Sequence, residues 1–245
     1  KTDDVGRTWH SLFDRQPASS IGALALAPSD PNVIYVGSGQ VAARYDVGAG
    51  HGVYRSADGG STWQHMGLGD TRHIGRILVD PQHPDTVLVG ALGHYFGPNH
   101  ERGVFRSTDG GRHWKQTLYI NDDTGIVDLA ADPSNAAIVY AAAWQVRNYP
   151  WLSYFQPNAG PGSGLYRSSD GGVTWKRLGG HGLPTGTLGR IGIATGRGGR
   201  VYAVIDAAPN SGNVPHAASE DEGGLYRSDD NGATWQLVGQ QGWLE

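Results

Sequence analysis

A ten-residue phrase recurs along this chain. It reads YRSADGGSTW from Tyr54 to Trp63, FRSTDGGRHW from Phe105 to Trp114, YRSSDGGVTW from Tyr166 to Trp175 and YRSDDNGATW from Tyr226 to Trp235. A shorter copy, TDDVGRTW, runs from Thr2 to Trp9. The closing tryptophans stand 51 to 61 residues apart. A repeat of that period makes each interval one supersecondary unit that buries its apolar face against its neighbours.

Every interval has the same internal grammar. An apolar run (SIGALALAP, IGRILVDP, GIVDLAADP, LGRIGIATG) precedes a short Pro, Asn, Asp or Gly turn. A second run follows (VIYVGSG, TVLVGAL, AIVYAAAW, RVYAVIDA), then a loop of variable length. A third run, GVYRS or a close variant, leads into the phrase, and a fourth begins at its Trp. Four short β-type runs per unit at this period predict an all-β fold, a β-propeller of four complete four-stranded blades. The expected blades are 19–67, 73–120, 124–178 and 187–239, within one domain over 1–245. Residues 1–13 are expected to be the outer strand of a preceding blade. The last blade owns a fourth strand already, so the expectation is a segment of a larger propeller. The competing reading is a closed four-bladed ring with a stray N-terminal strand. No run has a sustained 3.6-residue apolar period, so little helix is expected.

The phrase reads as a turn device. In SADGGSTW the Asp58 carboxylate faces the backbone N–H groups of its own turn. Gly60 supplies a positive φ, Ser56 and Thr62 close the hairpin with hydroxyl hydrogen bonds, and Trp63 packs between blades. Asp4, Asp109, Asp170 and Asp230 take the same structural role. His113 stands where the other boxes have Thr, so that hairpin is expected to lack one hydroxyl bond. A group repeated in every blade is spread around a rim and cannot converge on one substrate.

These boxes are the Asp-box, or BNR, motif. The chain resembles Asp-box propellers of the sialidase, xyloglucanase and sortilin type. It is most similar to secreted bacterial proteins described as sortilin-like or BNR-repeat glycosyl hydrolase-like. TRHIGRILVDPQHPDTVLVGALGHYFGPNHERGVFRSTDGG (Thr71 to Gly111), GPGSGLYRSSDGG and LGRIGIA carry that likeness beyond the boxes. The likeness extends over essentially the whole chain. It implies the propeller and an extracytoplasmic location, periplasmic or secreted, and says little about activity.

Composition excludes several classes. Net charge is −4 with no Lys/Arg run, so nucleic acid is not an expected partner. No apolar stretch approaches the roughly 20 residues of a membrane span. With no Cys there is no thiolate chemistry. No metal or cofactor is expected, since no pair of histidines has ligand spacing.

Function is expected on the face that carries the long loops, Ser38–Gly52, Leu92–Arg102, Gln145–Gly164 and Ala207–Gly223. There, aromatic planes alternate with hydrogen-bonding groups. The candidate ligand contacts are Arg72, His73, His94, Tyr95, Asn99, Arg102, Trp144, Arg147, Tyr149 and Trp151. The alternative is that the aromatics pack the loops against one another. Arg76 and Arg190 are expected to pair across blades. Two functions follow. The leading one is an extracytoplasmic recognition or scaffold propeller that binds a protein, peptide or carbohydrate, with the rest of a larger propeller or a complex as partner. The other is a glycoside hydrolase using a carboxylate pair in the loop-face cleft, with Asp46, Glu101, Asp128 and Asp206 as possible contributors.

Overall fold

A computed structural model describes residues 1–42, 47–147, 159–207 and 223–240. They form four four-stranded antiparallel sheets, each in chain order. Blade 1 holds β1 (Ile21–Ala27), β2 (Asp30–Ser38), β3 (Val53–Ser56) and β4 (Gln64–His65). Blade 2 holds β5 (Ile74–Val79), β6 (Val87–Ala91), β7 (Gly103–Ser107) and β8 (Lys115–Leu118). Blade 3 holds β9 (Thr124–Asp132), β10 (Asn135–Gln145), β11 (Gly164–Ser168) and β12 (Lys176–Arg177). Blade 4 holds β13 (Ile191–Thr195), β14 (Val201–Ile205), β15 (Gly224–Ser228) and β16 (Gln236–Gln240). Among the described residues the helical structure is one 3-10 turn, Gly69–Thr71, and no helix is long and apolar enough to cross a membrane. The fold is that of a β-propeller of BNR type.

The innermost strands pack in succession, β1 on β5, β5 on β9 and β9 on β13. What lets them approach is a bulge at one repeated position. The ladder to the second strand skips Gly22 in β1, Gly75 in β5 and Val127 in β9. A bulge bends the strand and increases its twist. Gly22 lies directly against the backbone of Ile74, and Gly75 against that of Val127. The cores lie between blades. Tyr35, Val53, Ile74 and Ile77 fill the first interface, and Leu88, Val104, Leu129 and Val139 fill the second.

Polar ties cross the same interfaces. Arg76 Nε lies 3.5 Å from Asp128 Oδ1, and the Ile193 N–H donates to Asp128 Oδ2 at 2.9 Å. Asp128 therefore links three blades near the axis, and Arg76 pairs across blades as expected. Further out, Tyr35 OH donates to Pro84 O at 2.8 Å, and Arg55 pairs with Asp85 at 2.9 Å. Among the described residues Arg190 has no ion pair across a blade. Its guanidinium stacks instead over the Trp144 ring, 5.5 Å from the centroid.

Each of the four blade boxes closes through one carboxylate and one buried hydroxyl. Ser168 Oγ donates to Asp170 Oδ1 at 2.7 Å and accepts the Gly172 N–H at 2.8 Å. Asp170 also accepts the Thr174 N–H at 2.9 Å and the Thr174 hydroxyl at 2.5 Å. The box tryptophan then reaches the preceding blade: Trp114 Nε1 donates to Met66 O at 2.6 Å, and Trp175 Nε1 to Thr117 Oγ1 at 3.2 Å. The second box departs from expectation. His113 does not leave a gap, because its Nδ1–H reaches Asp109 Oδ2 at 2.6 Å and replaces the hydroxyl.

Hydrogen bonds from the Thr and Ser of each box hold Asp58, Asp170 and Asp230 at about 2, below the ordinary carboxylate value of 3.8. A depressed folded-state pKa contributes stability that is present above the ordinary value and lost as pH falls through the folded one. The chain should therefore lose stability between about pH 4 and pH 2. Asp170→Ala should lower the melting temperature at pH 7, and the difference from wild type should shrink toward pH 2. An equal difference at both pH values in calorimetry would contradict this role.

The N-terminal box forms its turn but no strand. Lys1 and His10 exchange two backbone bonds, at 2.6 and 2.8 Å. Residues 1–13 contain no strand. Leu12 and Phe13 instead dock on blade 1: Trp63 Nε1 donates to Leu12 O at 2.8 Å, and the Phe13 ring meets Trp63 edge-on at 5.0 Å. That face of blade 1 stays open. Leu24 is 63% exposed, whereas Ile77 and Leu129, at the same repeat position, are 3% and 0% exposed. Trp9, Leu12, Phe13, Leu24 and Leu26 line an apolar groove of 730 Å³ there. Val204, Leu237 and Val238 leave a smaller exposed apolar strip on blade 4.

Candidate functional site

Strand alternation places the β6–β7 loop, the β8–β9 loop and the start of the β10–β11 loop on one face. The β6–β7 loop folds around a buried cation. Arg102 is 0% exposed; its Nη2 donates to His94 O at 2.9 Å and its Nη1 to Asp123 O at 3.1 Å. Asn99 Nδ2 holds the same turn by donating to His94 O at 3.1 Å and Gly97 O at 2.9 Å. Gly93 is required beside them. Its φ is +68°, and a Cβ there would lie 2.1 Å from Asn99 Oδ1. Burial lowers the Arg102 pKa to about 10, which leaves it charged at neutral pH.

A polar and aromatic cluster continues toward the axis. The His73 and Tyr95 rings meet edge-on at 4.8 Å, and both are buried. His73 Nδ1–H donates to Gln40 O at 2.9 Å. Burial lowers its pKa to about 4, from an ordinary 6.5, so the ring is neutral. Burial also raises the Tyr95 phenol, whose oxygen has no partner among the described residues. His94 is half-buried, its pKa lowered by burial and then by the Arg102 charge. Trp144 is buried under Arg190.

Thus His73, Tyr95, Asn99, Arg102 and Trp144 form the inner packing of the loops. Arg72, His94 and Arg147 retain solvent access. Arg72 follows the 3-10 turn at φ +59°, and its carbonyl accepts the Gly50 N–H at 2.7 Å. Arg147 Nε donates to Asp123 Oδ1 at 2.9 Å, which joins blade 3 to the β8–β9 loop. Tyr149 and Trp151 lie outside the described residues, as does Asp46. Among the other carboxylates, Asp128 is held by Arg76 and the Ile193 N–H, and Glu101 is half-buried. Asp206 already has interaction partners. Among the described residues no cluster of three or more His, Asp or Glu could hold a metal ion.

The structure adds residues from YINDDTG, the β8–β9 loop, that the sequence reading passed over. Tyr119 OH donates to Asp122 Oδ1. His100 Nδ1, from the β6–β7 loop, lies 3.1 Å from the Tyr119 oxygen and 3.0 Å from Asp122 Oδ1. The Tyr119 and His100 rings lie 5.6 Å apart, tilted by 46°. The sequence signal was the Asn-Asp-Asp cluster after a strand ending in Tyr. It reads as an ordinary turn, and nothing local says that His100 folds over it.

The sequence profile of the BNR/Asp-box repeat matches residues 226–237, the fourth box. Over longer stretches the chain is similar to curated xyloglucanases. It is 32% identical over 207 residues to a xyloglucanase from Paenibacillus sp, covering 78% of this chain and 18% of that protein. It is 29% identical over 217 residues to Xyloglucanase Xgh74A of Acetivibrio thermocellus, covering 80% and 24%. It is 26% identical over 272 residues to the oligoxyloglucan-reducing end-specific xyloglucanase of Emericella nidulans, covering 94% and 32%. Among solved structures, an ancestral GH74 enzyme superposes with a TM-score of 0.59 at 20% identity, over 90% of this chain and 24% of that one. At that identity the superposition supports the fold alone. The chain spans between about a fifth and a third of the relatives it matches. These relatives are enzymes, and they overturn the leading expectation of a recognition or scaffold propeller in favour of the hydrolase alternative.

Proposed function

We propose that this chain is a segment of a glycoside hydrolase of xyloglucanase type, with the β6–β7, β8–β9 and β10–β11 loops lining its glycan cleft. The carrying observation is sequence similarity to bacterial and fungal xyloglucanases over 78 to 94% of the chain. The loop face supports it physically. It combines exposed rings with fixed donors and carboxylates, the mix that grips a pyranose. Arg72, His94 and Arg147 are the accessible members of the original candidate set, with Tyr149 and Trp151 proposed beside them. The buried members position those loops.

Hydrolysis needs two carboxylates about 5 to 10 Å apart across the scissile bond. In a chain this short relative to its relatives, the pair can be completed by another part of a longer protein. A polymeric substrate places the protein outside the cytoplasm, consistent with the secreted, sortilin-like or glycosyl hydrolase-like group it resembles. Calorimetric titration of the chain with xyloglucan oligosaccharides and with unbranched cello-oligosaccharides tests the reading. Saturable binding with preference for the branched ligand is expected. Binding to neither would overturn it.

A further inference from the structure

We propose that Tyr119, His100 and Asp122 form a sugar subsite on blade 2 that selects neutral over anionic glycans. The inference rests on the glycan-binding reading of this face and assigns residues and selectivity within it. Three observations carry it.

First, Tyr119 is exposed, as Phe96 is and the candidate contacts Tyr95 and Trp144 are not. It is 41% exposed, while Tyr95 and Trp144 are 1% and 2% exposed. Its ring is therefore available for stacking. Second, the ring is held in place. Its hydroxyl is tied to Asp122 and its face is backed by His100. The supporting backbone is fixed from both sides. Asn99 N–H donates to Asp122 O at 3.1 Å, Asn121 Oδ1 accepts the Asp123 N–H at 2.9 Å, and Gln116 Nε2 donates to His100 O at 2.9 Å. A preorganised ring loses less conformational entropy on binding. Third, Asp122 Oδ1 is taken by Tyr119 and His100, whereas among the described residues no hydrogen bond reaches Oδ2. That oxygen lies free beside the ring to accept a sugar hydroxyl.

Charge sets the selectivity. Asp122 stands at this spot, paired through Oδ1 with His100 and within reach of the buried Arg102 charge, while Asp123 is neutralised by Arg147. A uronate or sulfate seated on the Tyr119 ring would meet the Asp122 carboxylate directly through Oδ2, and a neutral pyranose would donate a hydroxyl to it. The Asp122 hydrogen bond and charge also raise the Tyr119 pKa. The group stays a phenol at neutral pH, so it serves as a floor for the sugar and not as a nucleophile.

The test is titration calorimetry of the chain and its variants with a xyloglucan oligosaccharide, cellotetraose and tetragalacturonate, alongside melting curves. Tyr119→Ala should weaken binding of the neutral ligands by about tenfold or more, the usual effect of truncating an aromatic anchor. Tyr119→Phe should weaken it only a few-fold, and Asp122→Asn should both weaken neutral binding and admit tetragalacturonate. If wild type binds xyloglucan oligosaccharide and a natively melting Tyr119→Ala binds it equally well, the subsite is wrong and the xyloglucanase reading stands. If wild type binds cellotetraose through Tyr119 and ignores xyloglucan, the subsite stands and that reading falls. Binding of none of the three overturns both. Should Tyr119→Ala fail to fold, unchanged affinities in Tyr119→Phe and Asp122→Asn overturn the subsite.

Discussion

A chain carrying Gly22→Val should not reach the native fold at 25 °C, and Gly22→Ala should melt far below wild type. The position looks unremarkable in sequence, a glycine inside an apolar run. In the structure it is the bulge of β1, where the first innermost strand bends onto the second. A Cβ there would lie 2.2 Å from Ile74 O and 2.3 Å from Gly39 O. Both atoms are backbone, so no rotamer change relieves the clash. The strands would have to separate, opening the interface that buries Ile74 and Ile77. Overpacking alone costs about 1–3 kcal/mol, and displaced backbone should cost more. Gly75 repeats the situation, 2.6 Å from Val127 O. Gly192, in the innermost strand of blade 4, has nothing within 4 Å of its Cβ position, and Gly192→Ala should change stability by less than about 1 kcal/mol. Tryptophan fluorescence melts of the three variants decide the matter. A Gly22→Ala protein that melts within a degree or two of wild type would mean the innermost strands do not pack this closely.

The contrast shows what a sequence of this kind discloses. The boxes were legible because their chemistry is local. Ser168, Asp170, Gly172 and Thr174 bond one another within seven residues, and the same spacing recurs five times. The strands followed, since alternation and turn residues are also local. Residues 1–13 form no strand, and no local pattern decides that, because an outer strand forms only by pairing with the strand inside it. His113 shows the limit of reading by residue type, since an imidazole reaches the same carboxylate oxygen as the hydroxyl it replaces.

The loop face was legible in outline only. Strand direction correctly grouped the β6–β7, β8–β9 and β10–β11 loops. Which side chains point inward depends on packing between loops far apart in sequence. Tyr95 and Trp144 looked like contact residues and are buried, whereas Tyr119 looked like the end of a strand and is exposed. Asp122 and Asp123 became notable only once His100 and Arg147 were seen to meet them. Function was less legible still, because an Asp-box scaffold is compatible with binding and catalysis alike.

Arg102→Ala should be the most damaging change on that face. Among the described residues Arg102 is the largest side chain with no solvent exposure. Its guanidinium bridges two carbonyls from different loops, His94 O and Asp123 O. Removing it takes one of two donors from each carbonyl, since Asn99 Nδ2 still reaches His94 O and the Val146 N–H still reaches Asp123 O, and it leaves a cavity where the side chain lay. A loss of about 2–5 kcal/mol is expected, the range for truncating a large buried side chain, which for a domain of this size lowers the melting temperature by roughly 5 to 20 °C. Arg102→Lys should recover only part of this, because one ammonium cannot span both carbonyls in a fixed fork. The variants also separate stability from site assembly. Below its own melting temperature Arg102→Ala should still bind xyloglucan oligosaccharide more weakly than wild type, because His100 is no longer held over Tyr119 and Asp122. Wild-type affinity together with a lowered melting temperature would show that Arg102 supports the fold and has no part in arranging the glycan face.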